Sequence, residues 1–84
     1  MSSYTEVENE IFIRLAQAYV EGRSSFVGFD FSTNDPDNAT QKLILAKLKA
    51  EGSIEQDAGS TVARFTDAGY NKYRDRIAAL QTLT

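Results

Sequence analysis

Between Gly52 and Gly69 the chain leaves one helical pattern and enters another, and the interval has room for little except a β-hairpin. Ser53-Ile54-Glu55-Gln56-Asp57 and Thr61-Val62-Ala63-Arg64-Phe65 are two short strand candidates around the small-residue turn Ala58-Gly59-Ser60. Alternation turns Ile54 inward on the first strand and Ala63 with Phe65 inward on the second. Gly52 stops the preceding helix, and Thr66, with Asp67 just behind it, caps the next. In that last helix Tyr70, Tyr73, Ile77 and Leu80 fall on one face at spacings of three and four, extended by Leu83. Lys72, Arg74, Asp75 and Arg76 take the opposite, solvated side.

Two further helices precede the hairpin. Thr5 and Glu8 have capping-box spacing, and Val7, Ile11, Leu15 and Ala18 recur at helical period, widened by Phe12, Ala16, Tyr19 and Val20. These residues predict a helix over 5–21 that stops at Gly22. Val27, Phe29 and Phe31 alternate with Gly28 and Asp30, the mark of a short strand or extended segment crossing the core. Asp35 then serves as N-cap and Pro36 as first-turn residue of a helix over 36–51. The order is helix, extended segment or short strand, helix, β-hairpin, helix: an α+β fold.

Size and composition decide what such a fold can host. The 84 residues make one domain, 1–84, of ordinary globular composition, with 42% hydrophobic and 25% charged residues. A domain this small buries only about 60–65% of its unfolded surface, so its nine aromatics must supply much of the core. There is neither Cys nor His, which removes the disulfide staple, the thiolate zinc site, the strongest nucleophile and the commonest acid–base group. No phosphate-cradling glycine loop or metal-ligand motif is present. Asp30, Asp35 and Asp37 lack calcium-loop spacing and read as cap and turn carboxylates. The expectation is a non-catalytic protein with no cofactor and no metal. No apolar run approaches the ~20 residues of a membrane span, and the N-terminus lacks a signal-peptide pattern, so a cytoplasmic location is expected.

Leu45, Leu48, Gly52 and Ile54, followed by Phe65-Thr66-Asp67-Ala68-Gly69, resemble the C-terminal part of bacterial winged-helix regulators. The resemblance covers Leu45 to Ile77, about the last half of the chain. It implies that the 36–51 helix is a recognition helix, that the hairpin is a wing, and that the terminal helix packs in a homodimer. It also implies double-stranded DNA as partner. Asn38, Thr40, Gln41, Lys42, Lys47 and Lys49 on the helix, with Arg64 on the wing, would then be the DNA-binding residues.

Charge and the helical wheel keep a second partner open. Residues 1–37 carry two basic side chains against seven acidic ones, a net −5, and residues 38–84 carry seven against five, a net +2. A mildly basic half suits an anionic partner, but Glu55 and Asp57 make the wing acidic, which repels a phosphate backbone. Ile44, Leu45 and Leu48 give the 36–51 helix one apolar face for the core. Ala39, Leu43, Ala46 and Ala50 give it a second, between two polar stripes. Such a helix is expected to be buried twice, inside the domain or against another chain. The alternative is therefore a protein–protein interaction module, a small adaptor or an inhibitor of the kind common in phage and mobile elements, binding through that second face.

Overall fold

A computed structural model describes residues 3–22, 26–29, 36–56 and 62–82. Its elements are helix α1 (Tyr4–Glu21), strand β1 (Val27–Gly28), helix α2 (Asn38–Ala50), strands β2 (Ile54–Gln56) and β3 (Val62–Phe65), and helix α3 (Asp67–Thr82). The strands form one antiparallel sheet in the order β1-β3-β2. Ile54 faces Phe65 and Gln56 faces Ala63 across the hairpin, while Val27 faces Ala63 on the other edge. Val27–Gly28 of the expected extended segment thus form a third strand. This helix–strand–helix–hairpin–helix order is consistent with a small winged-helix-like α+β fold.

The core follows from the periodicities. Val7, Ile11, Phe12, Leu15 and Ala16 of α1, Ile44, Leu45 and Leu48 of α2, and Ile77 of α3 are buried. Ile54, Ala63 and Phe65 turn inward from the hairpin and Phe29 joins them just after β1. Phe12 lies at the centre, 6.1 Å from the Phe65 ring and 4.7 Å from Tyr73, and Tyr19 stacks on Tyr70 at 4.2 Å. Aromatic pairs therefore join α1 to both β3 and α3, as a domain short of aliphatic bulk requires. Val20 departs from expectation. It lies roughly 40° past Ala16 around the helix, over the rim of the core, and is 66% exposed.

Two helix starts differ from those the sequence predicts. Ser3, not Thr5, caps α1: its backbone is extended and its Oγ accepts the Glu6 N–H at 3.2 Å. Glu8, the other half of the expected capping box, instead pairs with Arg76 of α3 at 2.6 Å. In α2 the first residue is Asn38, after a Pro36-Asp37 turn, and Asp37 stands at the N-cap with no side-chain capping bond. Its carbonyl accepts the Gln41 N–H at 2.9 Å, so the helix begins two residues later than expected. The expected cap Asp35, together with Asp30, Phe31, Asp57, the turn Ala58-Gly59-Ser60 and Leu83, lies outside the described residues.

The junction between α2, the hairpin and α3 is built from the residues that carry the winged-helix resemblance. Gly52 has φ +81°, the left-handed conformation that ends α2. The Gly52 N–H donates to the Lys49 carbonyl (3.1 Å) and the Ser53 N–H to that of Leu48 (2.9 Å), a Schellman arrangement. The Ser53 carbonyl accepts the Thr66 N–H at 3.0 Å, extending the hairpin ladder by one pair. Thr66 Oγ1 accepts the Gly69 N–H at 3.0 Å, capping α3, and donates back to the Gly52 carbonyl at 2.8 Å. Gly69 packs directly on this turn: a Cβ there would stand 1.9 Å from the Ser53 carbonyl oxygen.

Candidate functional site

Every expected site residue except Arg64 lies on α2, and Lys42, Lys47 and Lys49 with the four apolar residues take its outward side. At 100° per residue, Ile44, Leu45 and Leu48 point to α1 and the hairpin and are at most 1% exposed. Ala39, Leu43, Ala46 and Ala50 occupy the opposite pole and are all exposed, Leu43 at 61%. The second apolar face is not buried by the described residues of this domain. Lys42 and Lys49 flank it on one side and Lys47 on the other, all three exposed. Asn38 and Thr40 are half-buried on the shoulders of the helix and Gln41, also half-buried, lies on the core-facing side between Leu45 and Leu48, so the polar side chains expected to read bases are set back from the pole.

Arg64 sits elsewhere. Its Nε and Nη2 both donate to Glu55 Oε2, at 3.1 and 2.8 Å, and its guanidinium lies 4.7 Å above the half-exposed Phe26 ring. The wing's one described cation is thus committed across the hairpin, and Glu55 offsets its charge. On the far edge of the sheet Arg14 donates to the Gly28 carbonyl at 2.7 Å and stacks on Phe29, occupying the outer acceptor of β1.

Two cations of α3, on the solvated side the sequence predicts, are likewise paired. Lys72 pairs with Glu51 at 3.1 Å. Arg76 pairs with Glu8, donates to Asn9 Oδ1 at 2.8 Å, and covers the Phe12 ring at 4.7 Å. Arg74 and Asp75 are exposed. Lysines stand beside an apolar stripe only on α2.

A carboxylate cluster fixes the C-terminal end of α2 against α3. Glu51 accepts from the Tyr73 hydroxyl, from Ser53 Oγ at 2.9 Å and from Lys72 Nζ at 3.1 Å. The Tyr73 hydrogen bond, outweighing burial and helped by Ser53 and Lys72, lowers the Glu51 pKa. Burial, reinforced by the bond to Glu51 and its charge, pushes Tyr73 up to about 12. Ser53 is itself 2% exposed. Held here and along its buried face, α2 turns its outer stripe away from the core.

No family model, curated protein or solved structure matches the chain. The geometry of α2 therefore carries the functional argument. Sequence reading missed one part of this site, the commitment of Arg64, because its partner Phe26 stands just before β1, 38 positions earlier in the chain. The alternation of Glu55 and Arg64 toward the same face of the hairpin was the signal that could have found its other partner. Among the described residues no helix is long and apolar enough to cross a membrane.

Proposed function

We propose that this chain is a non-catalytic protein–protein interaction module that docks its partner on the outward face of α2: Ala39, Leu43, Ala46 and Ala50. The observation that carries the reading is the 61% exposure of Leu43 at the pole of a helix that is otherwise firmly seated. An exposed leucine in a row of exposed alanines has no hydrogen-bonding group for a base edge and forms a contiguous apolar stripe that a protein partner can cover. The wing supports the same reading, since Glu55 neutralises Arg64 where a DNA-binding wing would offer positive charge. A cytoplasmic site of action belongs to this proposal, as does kinship with winged-helix regulators through the Gly52–Gly69 junction.

Peptides selected from a randomised displayed library test the docking face. They should bind the wild type and lose binding to Leu43→Asp, whose melting temperature should stay within about 4 °C of wild type because surface changes rarely exceed ±0.5 kcal/mol. Unfolding of Leu43→Asp, or undiminished peptide binding to it, overturns the proposal. The second reading is duplex DNA, favoured by the exposure of Lys42, Lys47 and Lys49 on the helix that matches a recognition helix. It requires binding to random-sequence duplex at low salt that falls steeply as salt rises.

A further inference from the structure

The docking stripe has the spacing of a coiled-coil seam. Ala39, Leu43, Ala46 and Ala50 are separated by four, three and four residues, the d-a-d-a pattern of a heptad with Leu43 at a. All four are exposed, and the b, c and f positions Ile44, Leu45 and Leu48 face the core. The flanking g positions are then Lys42 and Lys49, and the e positions Thr40 and Lys47. In paired helices these flanks decide which partner is accepted.

No flank position of α2 is a carboxylate. Two copies paired in parallel set g against e, and paired antiparallel they set g against g and e against e. Every combination here places Lys against Lys or Thr, so symmetric pairing through α2 is repulsive. The exposed acidic residues of α1 do not supply the missing complement. Glu10 and Gln17 lie in the middle of its outward face, where a seam would need apolar side chains. The three small seam residues leave close access for another helix, with Leu43 as the single large knob.

From these placements we infer that the occupant of the α2 face is an amphipathic helix of a different protein, with an apolar seam flanked on both sides by Glu or Asp. The inference rests on the docking reading above and adds the partner's charge to it. A seam of about 16 Å, from Ala39 to Ala50, is too short for a standard-size interface by itself. Affinity for an isolated helical peptide is therefore expected on the order of micromolar.

Three labelled heptad peptides of equal length test it, each with leucine at the seam and with Glu, Gln or Lys at the flanks, titrated into the full chain by fluorescence anisotropy. The Glu-flanked peptide should bind at least about tenfold more tightly than the Lys-flanked one, since each exposed pair contributes ~0.2–1 kcal/mol and its reversal costs as much. Binding should weaken with salt and be lost in Leu43→Asp. The triple change Lys42→Glu, Lys47→Glu and Lys49→Glu should reverse the preference, and the double change Lys47→Glu with Lys49→Glu should move it the same way.

Equal binding of all three peptides in a Leu43-dependent manner would overturn the acidic partner while leaving the docking face intact. Binding of none, with library peptides also indifferent to Leu43→Asp, would overturn both. A concentration-dependent dimer in light scattering that Leu43→Asp abolishes would assign the face to a second copy. Lysine-dependent binding to random-sequence duplex would assign it to DNA. Either assignment overturns the inference.

Discussion

Gly69 and Gly52 are both required, for different reasons, and substitution separates them. At Gly69 the obstacle is steric: an added Cβ would meet the Ser53 carbonyl oxygen at 1.9 Å, and that carbonyl is held by the Thr66 N–H. Gly69→Ala must prise α3 off the hairpin turn, so it should cost about 3 kcal/mol or more, enough to unfold much of a marginal domain. At Gly52 nothing lies within 4 Å of an added Cβ, and the obstacle is the φ of +81° alone. Gly52→Ala should cost about 1 kcal/mol and Gly52→Asn less, because Asn tolerates the left-handed region. Urea midpoints of the three variants check both arguments; a Gly69→Ala protein as stable as wild type would refute the close approach. This junction was legible in the sequence because its parts are local: a helix stop, a cap and a small residue three positions on.

At the scale of elements, legibility depended on whether an element's partners were near in the chain. The hairpin's facing, with Ile54, Ala63 and Phe65 inward, followed from period-two alternation. Two apolar faces on α2 followed from period 3.6, and structure was needed only to show that the second stays outside. The cap of α1 was misread because Ser3-x-x-Glu6 and Thr5-x-x-Glu8 share one spacing, and the choice between them is made from α3. Arg76 draws Glu8 into an ion pair, leaving Ser3 to hold the Glu6 N–H. Ser3→Ala should therefore cost about 1 kcal/mol, and Thr5→Ala, at an exposed first-turn position, close to nothing. Thermal melts of the two variants distinguish the caps; equal losses would count against Ser3. The placement of β1 beside β3 rather than β2 was unreadable for a similar reason, since an isolated Val-Gly pair carries no record of which edge it joins.

Across the whole molecule, charge is sorted. Lys72 and Arg76 of α3 neutralise carboxylates of the turn after α2 and of α1, and Lys42, Lys47 and Lys49 are exposed beside the docking stripe. The Glu51 cluster closes that internal arrangement, and its titration reports whether α2 and α3 are held as described. Glu51 in the folded chain titrates below its ordinary value of 4.5, so its contribution is present above that pH and is lost as pH falls through the lowered folded value. Tyr73 titrates above its ordinary 10.0, at about 12, so the neutral hydroxyl contributes fully below pH 10.0 and is lost as pH rises toward 12. The bond from the phenol to the carboxylate is the main cause of the Glu51 shift and, after burial, the second cause of the Tyr73 shift, so it stabilises the fold on a plateau between the two limits. Tyr73→Phe keeps the ring beside Phe12 and removes only the donor. On the plateau it should lower stability by about 1.5 kcal/mol, the low end for a bond to a charged acceptor because the Glu51 side chain is still 23% exposed. Stability measured by urea denaturation from pH 3 to about pH 11, wild type minus variant, cancels the titration of the other tyrosines and carboxylates. The difference should be flat through neutral pH and shrink at both ends; a difference that does not change with pH would show that Tyr73 contributes packing alone.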